Sequence, residues 1–147
     1  MSLETWFWLA HVPAAVGWIV LLAAPAVPAA IRIARLAAAV LALGYLVIFV
    51  AAPEGLATLA ADYSLAGIGE LFSDPRMLLL GWVHYLAFDI WVASWEVGEG
   101  RRLGMPHWLV APCLFVTFMV GPLGLLLFLA ARAARSRRRP TNSAIAS

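Results

Sequence analysis

Charge is scarce in this chain of 147 residues, of which 12% are charged and 64% are hydrophobic. A soluble domain has about 25% charged residues, so this composition leaves too little polar surface for a fold exposed to water. The mean hydropathy is +0.91. Such a composition is typical of an integral membrane protein.

Other common features are missing as well. Lysine is absent, so all ten basic residues are arginine. The single cysteine, Cys113, excludes an intrachain disulfide. The sequence contains no phosphate-binding glycine loop and no nucleophile elbow. No aromatic residues alternate with the C-terminal arginines, so we expect membrane lipid and no nucleic acid as their partner.

Four apolar stretches predict helices at about residues 5–31, 36–53, 76–97 and 106–133. The N-terminus has no basic segment before its apolar stretch, which favours a retained span over a signal peptide. Arg32 and Arg35 are expected to close the first span. The glycines of residues 98–104 are expected to end the third helix.

Residues 54–76 differ from these stretches because charges and glycines are mixed with apolar side chains. This pattern predicts an amphipathic segment at the membrane interface. Ser73 or Asp74 is expected to cap the next helix, with Pro75 at its first position. The predicted fold is all-α, an integral membrane four-helix bundle with a short interfacial segment between helices 2 and 3. Residues 1–135 form one transmembrane domain, and residues 136–147 a basic, polar tail that is predicted to be disordered.

The distribution of arginines favours cytoplasmic termini. With straight spans, six arginines then face the cytoplasm and four face the opposite side, as the positive-inside rule prefers. The first group is Arg76 and the five arginines from Arg132 onward, and the second is Arg32, Arg35, Arg101 and Arg102.

The third span carries most of the intramembrane polar side chains. Helical spacing places Trp82, Tyr85, Asp89 and Glu96 on one stripe, with the two acids roughly 10 Å apart along the axis. A second stripe is aromatic and contains His84, Phe88, Trp91 and Trp95. A straight helix therefore cannot bring His84 and Asp89 to one metal ion.

Each polar residue has a structural interpretation and a functional one. Asp89 is a carboxylate satisfied by a Trp or Tyr donor, a carboxyl group that is simply protonated, or a functional group, which is the default for an ionisable residue inside a membrane. Glu96 and Glu99 either form a solvated helix end paired with Arg101 or Arg102, or they belong to the site. His84 and His107 are equally compatible with structural hydrogen bonding and with ligation.

Seven Trp, seven Phe and three Tyr predict a pocket for a long apolar ligand such as a polyene, a quinone or a lipid tail. A desolvated carboxyl is a natural general acid at the polar end of such a ligand, and Asp89 fits that role best. Three histidines, His11, His84 and His107, could join Asp89 and Glu96 in an iron site, although no metal-binding pair at helical spacing supports one.

Residues 71–129 resemble the neoxanthin synthase-like family, named after the abscisic-acid-deficient-four protein of plants. The resemblance rests on three motifs in order, which cover nearly all of the second half of the chain. They are Trp82, His84 and Leu86–Asp89; Trp95, Glu96, Arg101, Arg102, Gly104, Pro106 and His107; and Ala111–Leu114 with Gly121–Leu127. The first half resembles the family only in its pattern of spans.

The resemblance implies a small four-helix membrane protein of carotenoid metabolism. Plant members are needed to convert violaxanthin to neoxanthin, an isomerisation that requires acid and base groups but no net redox change. The short N-terminus has no plastid transit peptide, so we expect a bacterial inner-membrane protein, for which the plant substrate does not transfer. Oxidative cleavage of a carotene to an apocarotenoid such as retinal is the other chemistry, and it would need iron.

The favoured function is therefore a membrane enzyme, an isomerase or an oxygenase, acting on a carotenoid or related isoprenoid. Its predicted catalytic residues are Asp89, His84, Glu96 and His107. Its predicted substrate-binding residues are Trp82, Tyr85, Trp91, Trp95, Arg101 and Arg102. The alternative is a non-enzymatic carotenoid- or quinone-binding protein or an assembly factor. A homo-oligomer could enclose a long ligand, and a transporter ranks last because no inverted repeat is visible.

Overall fold

The computed structural model describes residues 1–23, 25–51, 57 and 62–137. In that part of the chain it has five helices and no strand: α1 Leu3–Ala23, α2 Pro28–Val50, α3 Leu65–Leu71, α4 Pro75–Arg102 and α5 His107–Arg137. By length and composition, α1, α2, α4 and α5 are able to cross a membrane. The predicted all-α class with four candidate spans is confirmed.

The chain turns earlier than predicted between the first two helices. α1 ends at Ala23, and α2 begins at Pro28 after an extended Val27 with φ −72° and ψ 123°. Proline has no N–H and a φ suited to the first helical turn, so Pro28 starts a helix more readily than it continues one. The prediction of one span to Ile31 closed by Arg32 is therefore wrong, because Arg32 lies inside α2.

The segment before α4 follows the predicted capping chemistry. The Ser64 hydroxyl accepts a hydrogen bond of 3.1 Å from the Gly67 N–H and caps α3. Asp74 Oδ1 accepts from the Arg76 N–H at 2.7 Å, and Pro75 is the first residue of α4. Of the two predicted caps, Ser73 and Asp74, the structure selects Asp74, and Pro75 at the first position is confirmed. Most of residues 54–61 lie outside the described part, so the predicted interfacial segment is described only from α3 onward.

α4 continues past the predicted end near Val97, through Gly98 and Gly100, and ends at Arg102, within the segment of residues 98–104 where the sequence predicts its end. A Cβ on Gly100 would lie 2.9 Å from Val110 Cγ2 of α5. Gly100 therefore permits close helix packing, as small residues do in membrane proteins. The chain leaves α4 through Gly104, whose φ of +61° favours glycine.

α5 is a helical hairpin. Val120 has φ −147° and ψ 70°, which are not helical. A Cβ on Gly100 would lie 2.9 Å from Val110 Cγ2 and 3.9 Å from Phe128 Cε2. The Val110 and Phe128 side chains are therefore close to each other. On a straight helix these two residues would be about 27 Å apart. The chain therefore reverses at Val120, between a first arm of residues 107–119 and a second arm of residues 121–137. The sequence had predicted one uninterrupted span here, and the reversal corrects that expectation.

The chain divides into two compact units, Met1–Trp91 and Val92–Ser147. The first contains α1, α2, α3 and the first part of α4, and the second contains the end of α4 and both arms of α5. In the first unit, a Cβ on Gly17 would lie 3.0 Å from Ile90 Cγ2 and 3.5 Å from Ala37 Cβ. This small residue brings α1, α2 and α4 into direct contact. A single domain over residues 1–135 and a disordered tail stay predictions, and residues 138–147 lie outside the described part.

Candidate functional site

Asp89 and Tyr85 form a polar pair on α4. They are four residues apart and therefore lie above one another on one face of the helix. The Tyr85 hydroxyl hydrogen bonds with the Asp89 carboxyl group. Asp89 Oδ2 is buried and has no hydrogen-bond partner among the described residues. The structural interpretation, a carboxyl satisfied by a tyrosine, therefore accounts for only one of its two oxygens.

An unpaired buried carboxyl oxygen requires an explanation, because most buried polar atoms have a partner. Leaving such an atom unsatisfied costs about 1–3 kcal/mol. Sites of chemistry are one setting in which this cost is retained. Among the described residues, Asp89 Oδ2 is the buried side-chain nitrogen or oxygen atom that has no hydrogen-bond partner.

Aromatic rings extend from this pair toward the start of α4. Trp82 lies 5.7 Å from Tyr85, 6.1 Å from Phe7 and 6.0 Å from His11, measured between ring centroids. Beyond Trp82 is a cavity of about 310 Å³ lined by Leu3, Glu4, Phe7, Pro75, Leu78, Leu79 and Trp82. One face of α4 carries Leu78, Trp82, Tyr85 and Asp89. We call this mostly apolar row of side chains the path; from Leu78 to Asp89 it covers roughly 16 Å along the helix axis.

His11 lies beside this path and is held by its own helix. Its Nδ1 is 2.7 Å from the Phe7 carbonyl oxygen. A carbonyl only accepts, so Nδ1 carries a proton and donates it to this oxygen. The ring also packs 4.5 Å from Phe7. These contacts give His11 a defined orientation next to Trp82.

His84 lies on a different face of α4. Its ring stacks on Phe88 at 4.4 Å and lies 6.2 Å from Tyr45 of α2. Further along this stripe, the Arg35 guanidinium lies 5.3 Å from the Trp91 ring. A groove of about 280 Å³ runs here between α2 and α4, lined by Ala38, Ala39, Ala42, Ala87, Phe88 and Trp91. His84 thus stacks on Phe88, which lines this apolar groove, while Tyr85 is the neighbour of Asp89.

In the second unit Glu96 is fully buried, with a relative exposure of 0%. The Thr117 hydroxyl lies 3.1 and 3.2 Å from its two carboxyl oxygens and donates its one proton to them. Of the two interpretations of Glu96, the solvated helix end is excluded, because the side chain is buried. Thr117 belongs to the first arm of α5, so the contact depends on tertiary packing.

Glu99 is the centre of an ion-pair cluster near the end of α4. Arg102 donates to both Glu99 oxygens at 2.7 and 2.8 Å, and Arg132 of the second arm reaches Oε1 at 2.8 Å. The Arg132 guanidinium also lies 5.9 Å from the Trp95 ring, which packs edge-on against Phe128. The predicted pairing of Glu99 is confirmed for Arg102. Arg101 is exposed, and His107 is partly buried at the first position of α5.

Three contacts had no signal in the sequence. Thr117 with Glu96, Arg132 with Glu99 and Tyr45 with His84 join residues at least 21 positions apart. The Tyr85–Asp89 pair was visible, because its spacing of four places both side chains on one face.

The described residues contain no group of three His, Cys, Asp or Glu side chains that could hold a metal ion. The predicted candidates are spread over separate settings: His11 beside Phe7, His84 beside Tyr45, Asp89 beside Tyr85, Glu96 beside Thr117, and His107 at the start of α5. The described side chains therefore do not assemble the iron site that oxidative chemistry would need from these residues.

Comparison with known proteins gives one match. The sequence profile of a family described as ABA DEFICIENT 4-like matches residues 5–128, which is most of the chain. The match covers α1, α2 and α4 and most of α5. Neither the search of curated proteins nor the search of solved structures gives a match.

Proposed function

Because the chain belongs to the ABA DEFICIENT 4-like family, a family of carotenoid-related membrane proteins, we propose that it is an integral membrane enzyme acting on a carotenoid or a related isoprenoid. The observation that carries the enzymatic part is the unpaired, buried Oδ2 atom of Asp89. Asp89 shares one face of α4 with Tyr85 and with Trp82, which lines the cavity beside Phe7. A binding protein for an apolar polyene has no need of such a carboxyl oxygen.

The path and the carboxyl group suit different parts of one substrate. A polyene is long, narrow and apolar, and it stacks favourably along Trp82 and the neighbouring rings. The polar end group of the polyene then reaches Asp89, which is the one acidic residue of α4 within residues 75–91. Tyr85 holds one carboxyl oxygen and leaves the other for the substrate.

The chemistry that this pair supports best is proton transfer. In an epoxide-opening isomerisation, the protonated Asp89 donates to the epoxide oxygen as the carbon–oxygen bond breaks. The resulting carboxylate then removes a proton from a neighbouring carbon, which forms a double bond. Atoms and electrons balance without an oxidant, and Asp89 ends in its starting form. The described residues favour this reaction over oxidative cleavage because no iron ligand set is assembled among them.

The remaining candidates keep smaller roles in the proposal. Glu96 is enclosed with Thr117 and has no exposed surface, so we assign it to structure. His84 and Trp91 flank the groove between α2 and α4, where a second part of an apolar ligand can bind. A catalytic role for His107 and substrate contacts by Trp95, Arg101 and Arg102 stay predictions. A bacterial inner membrane as the location and a homo-oligomer are proposals of the same kind.

The test is coexpression of the full chain with pathways that produce β-carotene or an epoxy-xanthophyll, followed by pigment profiling. We expect a new pigment with the wild type and at least a 100-fold lower yield with Asp89→Asn, the scale of a lost general acid–base group. Glu70→Gln is the matched control, an acid-to-amide change on the exposed face of α3. No pigment change with the wild type, or full activity of Asp89→Asn, would contradict the proposal.

The groove between α2 and α4 favours a second candidate, a non-enzymatic carotenoid or quinone carrier. Its lining is almost wholly apolar, and both Phe88 and Trp91 are exposed in it. A carrier would copurify with an unaltered pigment in equal amounts from the wild type and from Asp89→Asn. The chromatographic retention and absorption spectrum of the copurified pigment separate the two functions, because an isomerised pigment has the same mass as its substrate.

A further inference from the structure

The reversal of α5 gathers arginines that are distant in the sequence. Arg135 Nη2 donates to the Gly104 carbonyl oxygen at 2.9 Å. Arg132 of the second arm and Arg102 of α4 both bind Glu99. The end of the second arm therefore lies beside the turn that precedes the first arm. We call this end, residues 101–109 and 131–137, the hairpin mouth.

The hairpin mouth is strongly basic. Its described arginines are Arg101, Arg102, Arg132, Arg135 and Arg137. Glu99 pairs with two of them, and these five arginines together with Glu99 have a formal charge of 5 − 1 = +4. Arg102 and Arg132, which form the ion pairs with Glu99, are still exposed, with relative side-chain exposures of 64% and 39%. Such a surface attracts an anion that remains accessible to solvent.

An apolar groove adjoins these charges. It has a volume of about 330 Å³ and is lined by Pro106, Trp108, Leu109, Ala131, Ala134 and Arg135. The Trp108 side chain is 74% exposed, and tryptophan is enriched where membrane proteins cross the lipid–water interface. Arg135 lines the groove and belongs to the basic group, so apolar and cationic surfaces meet at this residue.

The length of the arms places the mouth at a membrane surface. The first arm has 13 residues and the second 17, or about 20 and 26 Å of helix, against about 30 Å of bilayer hydrocarbon. A hairpin of this length enters the bilayer and returns to the face from which it came. Its charged mouth then lies at the level of the lipid headgroups.

From these features we infer that the hairpin mouth is a binding site for the headgroup of an anionic phospholipid. The phosphate accepts from guanidinium N–H groups of Arg135, whose planar group has five donors and suits phosphate oxygens, and of the exposed Arg102. The glycerol and the upper part of an acyl chain fill the groove beside Trp108. A zwitterionic lipid gains less from the same contacts because its headgroup has no net charge, and inorganic phosphate has no chain to occupy the groove.

The test uses the full chain in nanodiscs of equal phosphatidylglycerol and phosphatidylcholine, with native mass spectrometry of the lipid retained by the released protein. We expect the wild type to retain phosphatidylglycerol preferentially. Arg135→Gln should reduce that preference about fivefold, because this factor corresponds to the attraction of one arginine for an anionic membrane surface. Arg135→Lys should keep most of it. Arg76→Gln is the matched control, because Arg76 lies in the first unit at the opposite end of the α4 sequence.

Two further experiments distinguish a lipid headgroup from free phosphate as the bound anion. Trp108→Ala should lower phosphatidylglycerol retention, and inorganic phosphate in excess should not displace the lipid. Equal retention of both lipids by the wild type would overturn the proposal, as would an equal loss in Arg76→Gln and Arg135→Gln. Displacement by inorganic phosphate alone would show a free-anion site instead. None of these readouts depends on carotenoid chemistry.

Discussion

Two acids on one helix have opposite environments. Glu96 is completely buried and receives the hydroxyl proton of Thr117. Asp89 is only partly buried, yet one of its oxygens has no partner among the described residues. Burying a carboxyl group is costly unless it is hydrogen bonded. The hydrogen bond from Thr117 offsets the free-energy cost of burying Glu96, whereas the buried Asp89 oxygen has no such bond. We therefore assign a structural role to Glu96 and propose a catalytic role for Asp89.

Thr117→Val removes a hydroxyl donor from the Glu96 carboxyl group without changing the shape of the side chain. We expect the free energy of unfolding to fall by about 1–3 kcal/mol, because a buried carboxyl group loses one hydrogen-bond donor. Thermal unfolding in detergent measures the change. Thr117→Ser keeps the hydroxyl and serves as the control. Equal stability of Thr117→Val and the wild type would show that Glu96 is satisfied without this contact.

The hairpin of α5 depends on small residues at its closest approach. A Cβ on Gly124 would overlap the backbone nitrogen and the side chain of Thr117. Pro122 follows the reversal at Val120 and has no N–H to continue the first arm's hydrogen-bond pattern. Glycine at position 124 therefore lets the two arms pack immediately after the turn.

Gly124→Ala should destabilise the protein by about 1–3 kcal/mol or more, because the new methyl group meets backbone that cannot move independently. Gly44→Ala is the matched control, since no described atom outside its own helix backbone lies within 4 Å of its Cβ position. That control should be neutral or stabilise α2 by roughly 0.5–1 kcal/mol. Denaturant unfolding of both variants in the same detergent compares them. A neutral Gly124→Ala would contradict the tight hairpin.

The reversal also changes the topology of the second unit. The arginine count that favoured cytoplasmic termini assumed a straight fourth span, with Arg101 and Arg102 opposite the C-terminal arginines. The contact of Arg135 with Gly104 places the two groups at one end. By the positive-inside rule we expect this end to face the cytoplasm.

Thiol labelling tests this arrangement with single cysteines on a Cys113→Ser background. Pro106→Cys and Ser136→Cys both introduce exposed thiols at the hairpin mouth. We expect an impermeant maleimide to label both from the same side of sealed membrane vesicles. Labelling from opposite sides would show that residues 107–137 cross the membrane once, and unsealed vesicles provide the control for total reactivity.

The sequence by itself determined the membrane class, the helical fold, the start of α4 at Pro75 and the pairs that lie on one helix face. All of these depend on composition or on contacts within about four residues, which periodicity reveals. Tyr85 with Asp89 and Glu99 with Arg102 belong to this group. The family could also be identified from motifs in the second half of the chain.

Only the tertiary structure decided how α5 folds and which distant side chains meet. Glycine and proline occur in straight membrane helices and in turns alike, so Gly121 and Pro122 did not distinguish a span from a hairpin. Thr117 beside Glu96 and Arg135 beside Gly104 both follow from that reversal. A single backbone break at Val120 thus buries one acid and gathers the arginines at one end, and no local pattern encodes where it occurs.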